Sequence, residues 1–123
     1  MPPRDLQERT RVFAIAVVKF CRQLPPTDEA QEEARQLRRA AKVVRRNYRA
    51  ARRGRSRAEF EAKLGTVFEE ADECVDCLES LRDTRIKRDD ALIQEARELA
   101  CIFAKAVSTA RKNTRRRKDF PNS

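Results

Sequence analysis

Residues 36–60 read Gln36-Leu-Arg-Arg-Ala-Ala-Lys-Val-Val-Arg-Arg-Asn-Tyr-Arg-Ala-Ala-Arg-Arg-Gly-Arg-Ser-Arg-Ala-Glu-Phe60. Two patterns are superposed here. Leu37, Ala41, Val44, Tyr48 and Ala51 recur at alternating spacings of four and three, which marks one face of a helix. From Arg38 to Arg57 every charged residue is positive, and the next acid is Glu59. The stretch is therefore a core wall and the most basic surface of the chain at once.

The same period extends outward in both directions. Ala30 and Ala34 continue the series towards the N-terminus. Phe60, Leu64, Val67, Ala71, Cys74, Leu78 and Leu81 carry it through a third segment, and Leu92, Ala96, Leu99, Phe103, Ala106 and Ala110 through a fourth. Phe13, Ala16 or Val17, Phe20 and Leu24 approximate it in the first. The punctuation agrees. Pro25-Pro26 stops a helix. Thr27 or Asp28 starts the next, and Asp28 with Gln31 resembles a capping box. Gly54 is read as a stop. Ser56 with Glu59 forms a Ser-x-x-Glu box, and Asp89 caps the last helix. The prediction is an all-α, antiparallel up-down-up-down four-helix bundle, with helices over about 6–24, 28–53, 57–82 and 89–112. Residues 113–123 lose the apolar period and read as a basic C-terminal tail.

Composition narrows the function. The 123 residues hold 29 Lys and Arg against 20 Asp and Glu, a net charge of +9. One domain with one core fits that length. The excess charge draws the chain to polyanions. There is no histidine, which removes Ser-His, Cys-His and His-metal constellations. No phosphate-binding glycine loop or dinucleotide fingerprint is present. Cys74-Val-Asp-Cys77 is a lone C-x-x-C without a second half, so free thiols are expected. No enzyme activity, metal or cofactor is expected. The longest apolar run, Val12 to Val18, is too short to span a bilayer, and the N-terminus lacks a leader pattern, so the cytoplasm is the expected location.

An up-down bundle sorts these charges. The end at Gly54 should gather Arg45, Arg46, Arg49, Arg52, Arg53, Arg55 and Arg57 with Arg111 and Lys112, trailed by Arg115, Arg116, Arg117 and Lys118. Arg9 and Arg11 are expected beside them. The opposite end should collect Asp28, Glu29, Glu32 and Glu33, the acids of the third helix from Glu69 to Glu79, and Asp89, Asp90 and Glu95. Past Glu33 the second helix has no acid at i±3 or i±4 to neutralise its arginines. The basic end is the expected nucleic-acid site, arginine being suited to bidentate phosphate contacts. Tyr48 is placed in the core by its spacing, with base stacking as the alternative.

Gln36-Leu-Arg-Arg-Ala-Ala, Asn47 at a fixed distance, and Arg55-Ser-Arg-Ala-Glu-Phe60 resemble the signature of the small four helix bundle proteins related to those encoded in intervening sequences of bacterial 23S ribosomal RNA genes. Gln36, Arg38, Arg39, Asn47, Arg55, Ser56, Glu59 and Phe60 match that signature. The family's Ile-Ala-Glu-Gly is replaced by Tyr48-Arg49-Ala50-Ala51, which loses an acid and gains an arginine. The resemblance implies a homopentamer. It also implies kinship with the accessory variability determinants of diversity-generating retroelements, basic proteins that bind a reverse transcriptase and RNA. The reading that results is a non-enzymatic, ring-forming, RNA-binding accessory protein with a reverse transcriptase partner. The alternatives are a 23S rRNA intervening-sequence protein of unknown role, and a structural oligomerisation module without nucleic acid.

Overall fold

A computed structural model of the chain describes residues 6–119. They form four helices: α1 Leu6–Arg22, α2 Asp28–Arg52, α3 Arg57–Asp83 and α4 Asp90–Asp119. Each packs on its neighbours in chain order, and α4 closes on α1, so the bundle is all-α and up-down-up-down. The α2–α3 and α3–α4 seams are extensive, whereas α1 leans mainly on α2. Among the described residues no helix is long and apolar enough to cross a membrane.

Local chemistry sets the ends. The last turn before Pro25 tightens, with Gln23 N donating to Phe20 O and Leu24 N to Cys21 O, so α1 ends at Arg22 and not at residue 24. Thr27 caps α2 by accepting from Ala30 N at 3.2 Å. The expected Asp28–Gln31 box does not form, because Gln31 Nε2 donates to Pro25 O at 3.0 Å instead. Ser56 accepts from Glu59 N at 3.1 Å, and Asp89 from Leu92 N at 3.0 Å. Gly54 follows the end of α2, where the stop was expected. No glycine has positive φ, but a Cβ on Gly54 would sit 3.1 Å from the Ala51 carbonyl oxygen. The left-handed residue is Arg85, φ 60°. It follows α3 in a Schellman arrangement, with Ile86 N donating to Leu81 O and Arg85 N to Arg82 O.

The core follows the sequence period closely. Ala30, Ala34, Leu37, Ala41, Val44 and Ala51 are buried on α2, and Leu64 to Leu81 in the predicted series on α3. Tyr48 packs on Phe103 across the core, ring centroids 5.4 Å apart. Two expectations fail. Phe60 is 38% exposed, because it stands in the first turn of α3 at the rim of a groove against α4. On α4 the seam moves after Phe103 to Val107, leaving Ala106 and Ala110 only partly buried. A straight helix drifts about 20° per heptad from a strict seven-residue repeat, so the inward position slides to i+4. The helix also continues through residues 113–119, where a tail was expected.

Cys21, Cys74 and Cys77 are buried free thiols, and Cys101 is exposed. Among the described residues no three Cys, Asp or Glu side chains gather as a metal-binding group. Burial, and then the field of Glu33, Glu73 and Asp76, pushes the Cys77 thiol up to about 12. Burial raises Cys74 as well.

Three outcomes follow. Phe103→Ala removes a fully buried ring and should cost about 3–5 kcal/mol in denaturant unfolding. Arg85→Gly relieves a left-handed arginine and should stabilise the protein by up to about 1 kcal/mol on the same measurement. Below about pH 7.5 the thiols are protonated in both states. Above it the unfolded chain ionises first, so each buried thiol removes stability, approaching about 1.4 kcal/mol per pH unit. Unfolding free energies at successive pH values from 8 to 10 should fall for the parent and fall less for Cys77→Ala.

Candidate nucleic-acid interface

On α2 the cations outside the buried face fall into register. Arg35, Arg38, Lys42, Arg45, Arg49 and Arg52 are spaced by three and four, so they line one stripe about 25 Å long. Arg39, Arg46 and Arg53 form a second row at seven-residue intervals. All are exposed except Arg38, which is half-buried. Pairing is confined to the N-terminal part. Arg35 meets Glu32 at 2.7 Å and Arg39 meets Glu70 of α3 at 3.2 Å. Among the described residues, no cation from Lys42 to Arg57 has a carboxylate within ion-pair distance.

The C-terminal arginines reach the same end. Thr114 Oγ1 donates to Glu61 Oε2 at 2.8 Å, and Arg111 Nε lies 3.9 Å from Glu61. These contacts hold α4 beside the first turns of α3. Arg57 shares a groove with Asn113 and Thr114, while Arg111, Lys112 and Arg115 line a neighbouring one with Phe68 and Glu69. Because α4 runs on to Asp119, Arg116, Arg117 and Lys118 are carried on its final turn.

Arg9 does not join this cluster, and Arg11 is neutralised by Glu8, whose carboxylate also lies in the field of Arg45. Arg9 donates through Nε and Nη2 to Glu95 at 2.8 and 2.7 Å, and through Nη2 to Glu98 at 3.1 Å. Those bonds hold the guanidinium pKa above its ordinary value. Glu95 lies near the start of α4, in the group read as the opposite end. At 17 residues α1 is about 25 Å long against about 45 Å for α4; it ends beside the start of α4, where Lys87 lies over the Phe20 ring, so its first turn reaches only as far along α4 as Glu95 and Glu98. Arg11 is taken up by Glu8 at 2.6 Å, which lowers the Glu8 pKa. Some acids of the other end are engaged too, Glu79 with Arg97 and Asp90 with Arg88 at 2.8 Å, as is Asp83 nearby with Arg82 at 2.8 Å.

One surface escaped the sequence reading. Between α1 and α2 runs a groove of about 520 Å³. Ala14, Ile15 and Val18 supply its apolar side, and Lys19, Arg22, Arg35, Arg38, Arg39, Lys42 and Arg45 its cations. No acidic side chain lines it. Ile15 and Val18 are each 37% exposed and Val12 52%. The signal was present as the row Val12, Ile15, Val18, which falls beside the buried row Phe13, Val17, Phe20.

Comparisons with known proteins bear on the family. A family model described as 23S rRNA-intervening sequence protein matches residues 5–108. A crystal structure of a protein of unknown function from the S23 ribosomal protein family of Bacteroides thetaiotaomicron superposes with a TM-score of 0.73. It is 24% identical, and the match covers 82% of this chain and 96% of that one. At that identity the likeness speaks for the four-helix fold alone. None of the curated proteins matches. The signature from Gln36 to Phe60 lies within the matched segment, and that segment takes in most of the chain, which belongs to the 23S rRNA-intervening sequence protein family.

Proposed function

We propose that this protein binds nucleic acid, and RNA first, through the cations at the α2–α3 turn and the end of α4. The observation that carries the reading is the run from Lys42 to Arg57, where arginines and one lysine project from a fixed helix and its turn with no carboxylate partner among the described residues. Phosphate contacts need such groups: charged, exposed, and free of an internal competitor. Arginine presents two parallel donors to a phosphate, so a row of them grips a backbone without reading its sequence.

The resemblance to retroelement accessory proteins adds two elements to the proposal. The protein acts as a ring-forming homo-oligomer, a homopentamer by that likeness, and it serves a reverse transcriptase without being an enzyme itself. The exposed acids Glu69, Asp72 and Asp76 on α3 are suited to meet cations of a neighbouring subunit. Its gene standing beside a reverse transcriptase gene and a template repeat would favour this role. Placement inside a 23S ribosomal RNA gene would favour the intervening-sequence role.

Binding of a fluorescent single-stranded RNA should weaken with salt by about 0.7 log units per log unit for each phosphate engaged. Arg49→Glu, Arg52→Glu and Arg53→Glu combined should weaken it at least a hundredfold and flatten the salt dependence, while circular dichroism keeps its helical signal. Parental RNA affinity in that triple variant would show the site to be misassigned. Dissociation of an oligomer with RNA affinity intact would assign these arginines to subunit contacts.

A further inference from the structure

We propose that the groove between α1 and α2 is a docking site for an acidic amphipathic helix of a partner protein. It overlaps the nucleic-acid run proposed above only at Lys42 and Arg45. Its two walls ask for two things at once. Ile15 and Val18 offer aliphatic surface, which is covered profitably only by another apolar side chain. The cations of α2 offer charge at intervals of three and four residues along a helix. A second helix laid alongside has the same rise, so carboxylates at its own three- and four-residue intervals fall opposite those cations, while its apolar row faces Ile15 and Val18. The α2 wall from Arg35 to Arg45 is about 15 Å long, which matches about three turns of such a helix.

Two other occupants fit less well. Nucleic acid would meet the arginines here, but it would find no aromatic platform for its bases and would leave the aliphatic side of Ala14, Ile15 and Val18 without an apolar partner. A second copy docked symmetrically would bring its cations against the same cations. A second copy offering α3 would bring Glu69, Asp72 and Asp76, but among the described residues the exposed large apolar side chains are Val12, Ile15, Val18 and Phe60. Phe60, the one large apolar side chain exposed on α3, stands nine residues before Glu69, so α3 presents no exposed apolar row alongside those acids.

The test uses the full chain and a fluorescein-labelled synthetic helical peptide with leucines on one face and glutamates flanking them. A scrambled peptide of identical composition is the control. At about 0.15 M salt, where distant charges are screened, fluorescence anisotropy should show binding of the first peptide and at least tenfold weaker binding of the second. Ile15→Asp with Val18→Asp should weaken the peptide at least tenfold and leave RNA affinity and the melting temperature unchanged. Lys42→Glu, an exposed charge change that leaves the apolar side intact, should weaken it at least threefold. Equal binding of the scrambled peptide, or parental peptide binding by both variants, would overturn the proposal. So would loss of RNA affinity in the aspartate variant, which would make the groove a nucleic-acid site. Conversion of an oligomer to monomers by that variant would make it a subunit interface, and would overturn the proposal without touching the arginine-based RNA reading.

Discussion

A helix carrying a dense row of like charges holds together only if its other face is anchored. On α2 the cations stand about 5 Å apart along the axis, and each like-charged pair at three or four residues costs about 0.2–0.5 kcal/mol. Five successive pairs from Arg35 to Arg52 therefore oppose the helix by about 1–2.5 kcal/mol. Burying a single leucine or valine contributes about 1.5–3 kcal/mol, and α2 buries Leu37 and Val44 with five alanines. Packing wins with a margin. The alanines matter for a second reason. Ala30, Ala34, Ala40, Ala41 and Ala51 have no bulk beyond Cβ, so neighbouring backbones approach closely and fix the orientation of the charged face. The position of every arginine depends on that buried seam.

The seam was legible because burial imposes a period. Leu64, Val67, Ala71, Cys74, Leu78 and Leu81 read as core in sequence and are core in the structure, since a helix with neighbours on two sides has one inward row. Reading weakened where that condition lapsed. Phe60 fits the period but lies in a first turn, where the partner helix does not close over it. Ala106 gave way to Val107 because a repeat counted in sevens ignores the drift of a real helix. Residues 113–119 have no apolar row, yet they are helical, held at their start by Thr114 on Glu61. Propensity and a single hydrogen bond leave no periodic trace.

The charged site was legible in part for a different reason. Chain order alone told that the α2–α3 turn and the end of α4 share one end of the bundle, and the Thr114–Glu61 bond fulfils that. Chain order did not tell where a short helix starts. Arg9 was assigned to the basic end by topology, but its level is set by the length of α1, and it meets Glu95 and Glu98 instead. The α1–α2 groove was invisible for a related reason. Its cations come from α2 and its apolar side from α1, so neither segment alone displays the combination.

The two basic surfaces share α2, yet distance lets them act separately. From Arg38 in the groove to Arg52 near the turn is 14 residues, about 21 Å along the helix. The Debye length at physiological salt is about 8 Å, so the direct field of a ligand at one place is largely screened at the other. Lys42 and Arg45 are the exceptions, because they line the groove and also belong to the run of cations leading to the turn. Bound carboxylates near Arg45 would lower the positive potential for the first phosphates beyond it, and bound phosphates would do the same in return. Competition between ligands at the two surfaces is therefore expected to be local and mutual, concentrated at Lys42 and Arg45 and strongest at low salt.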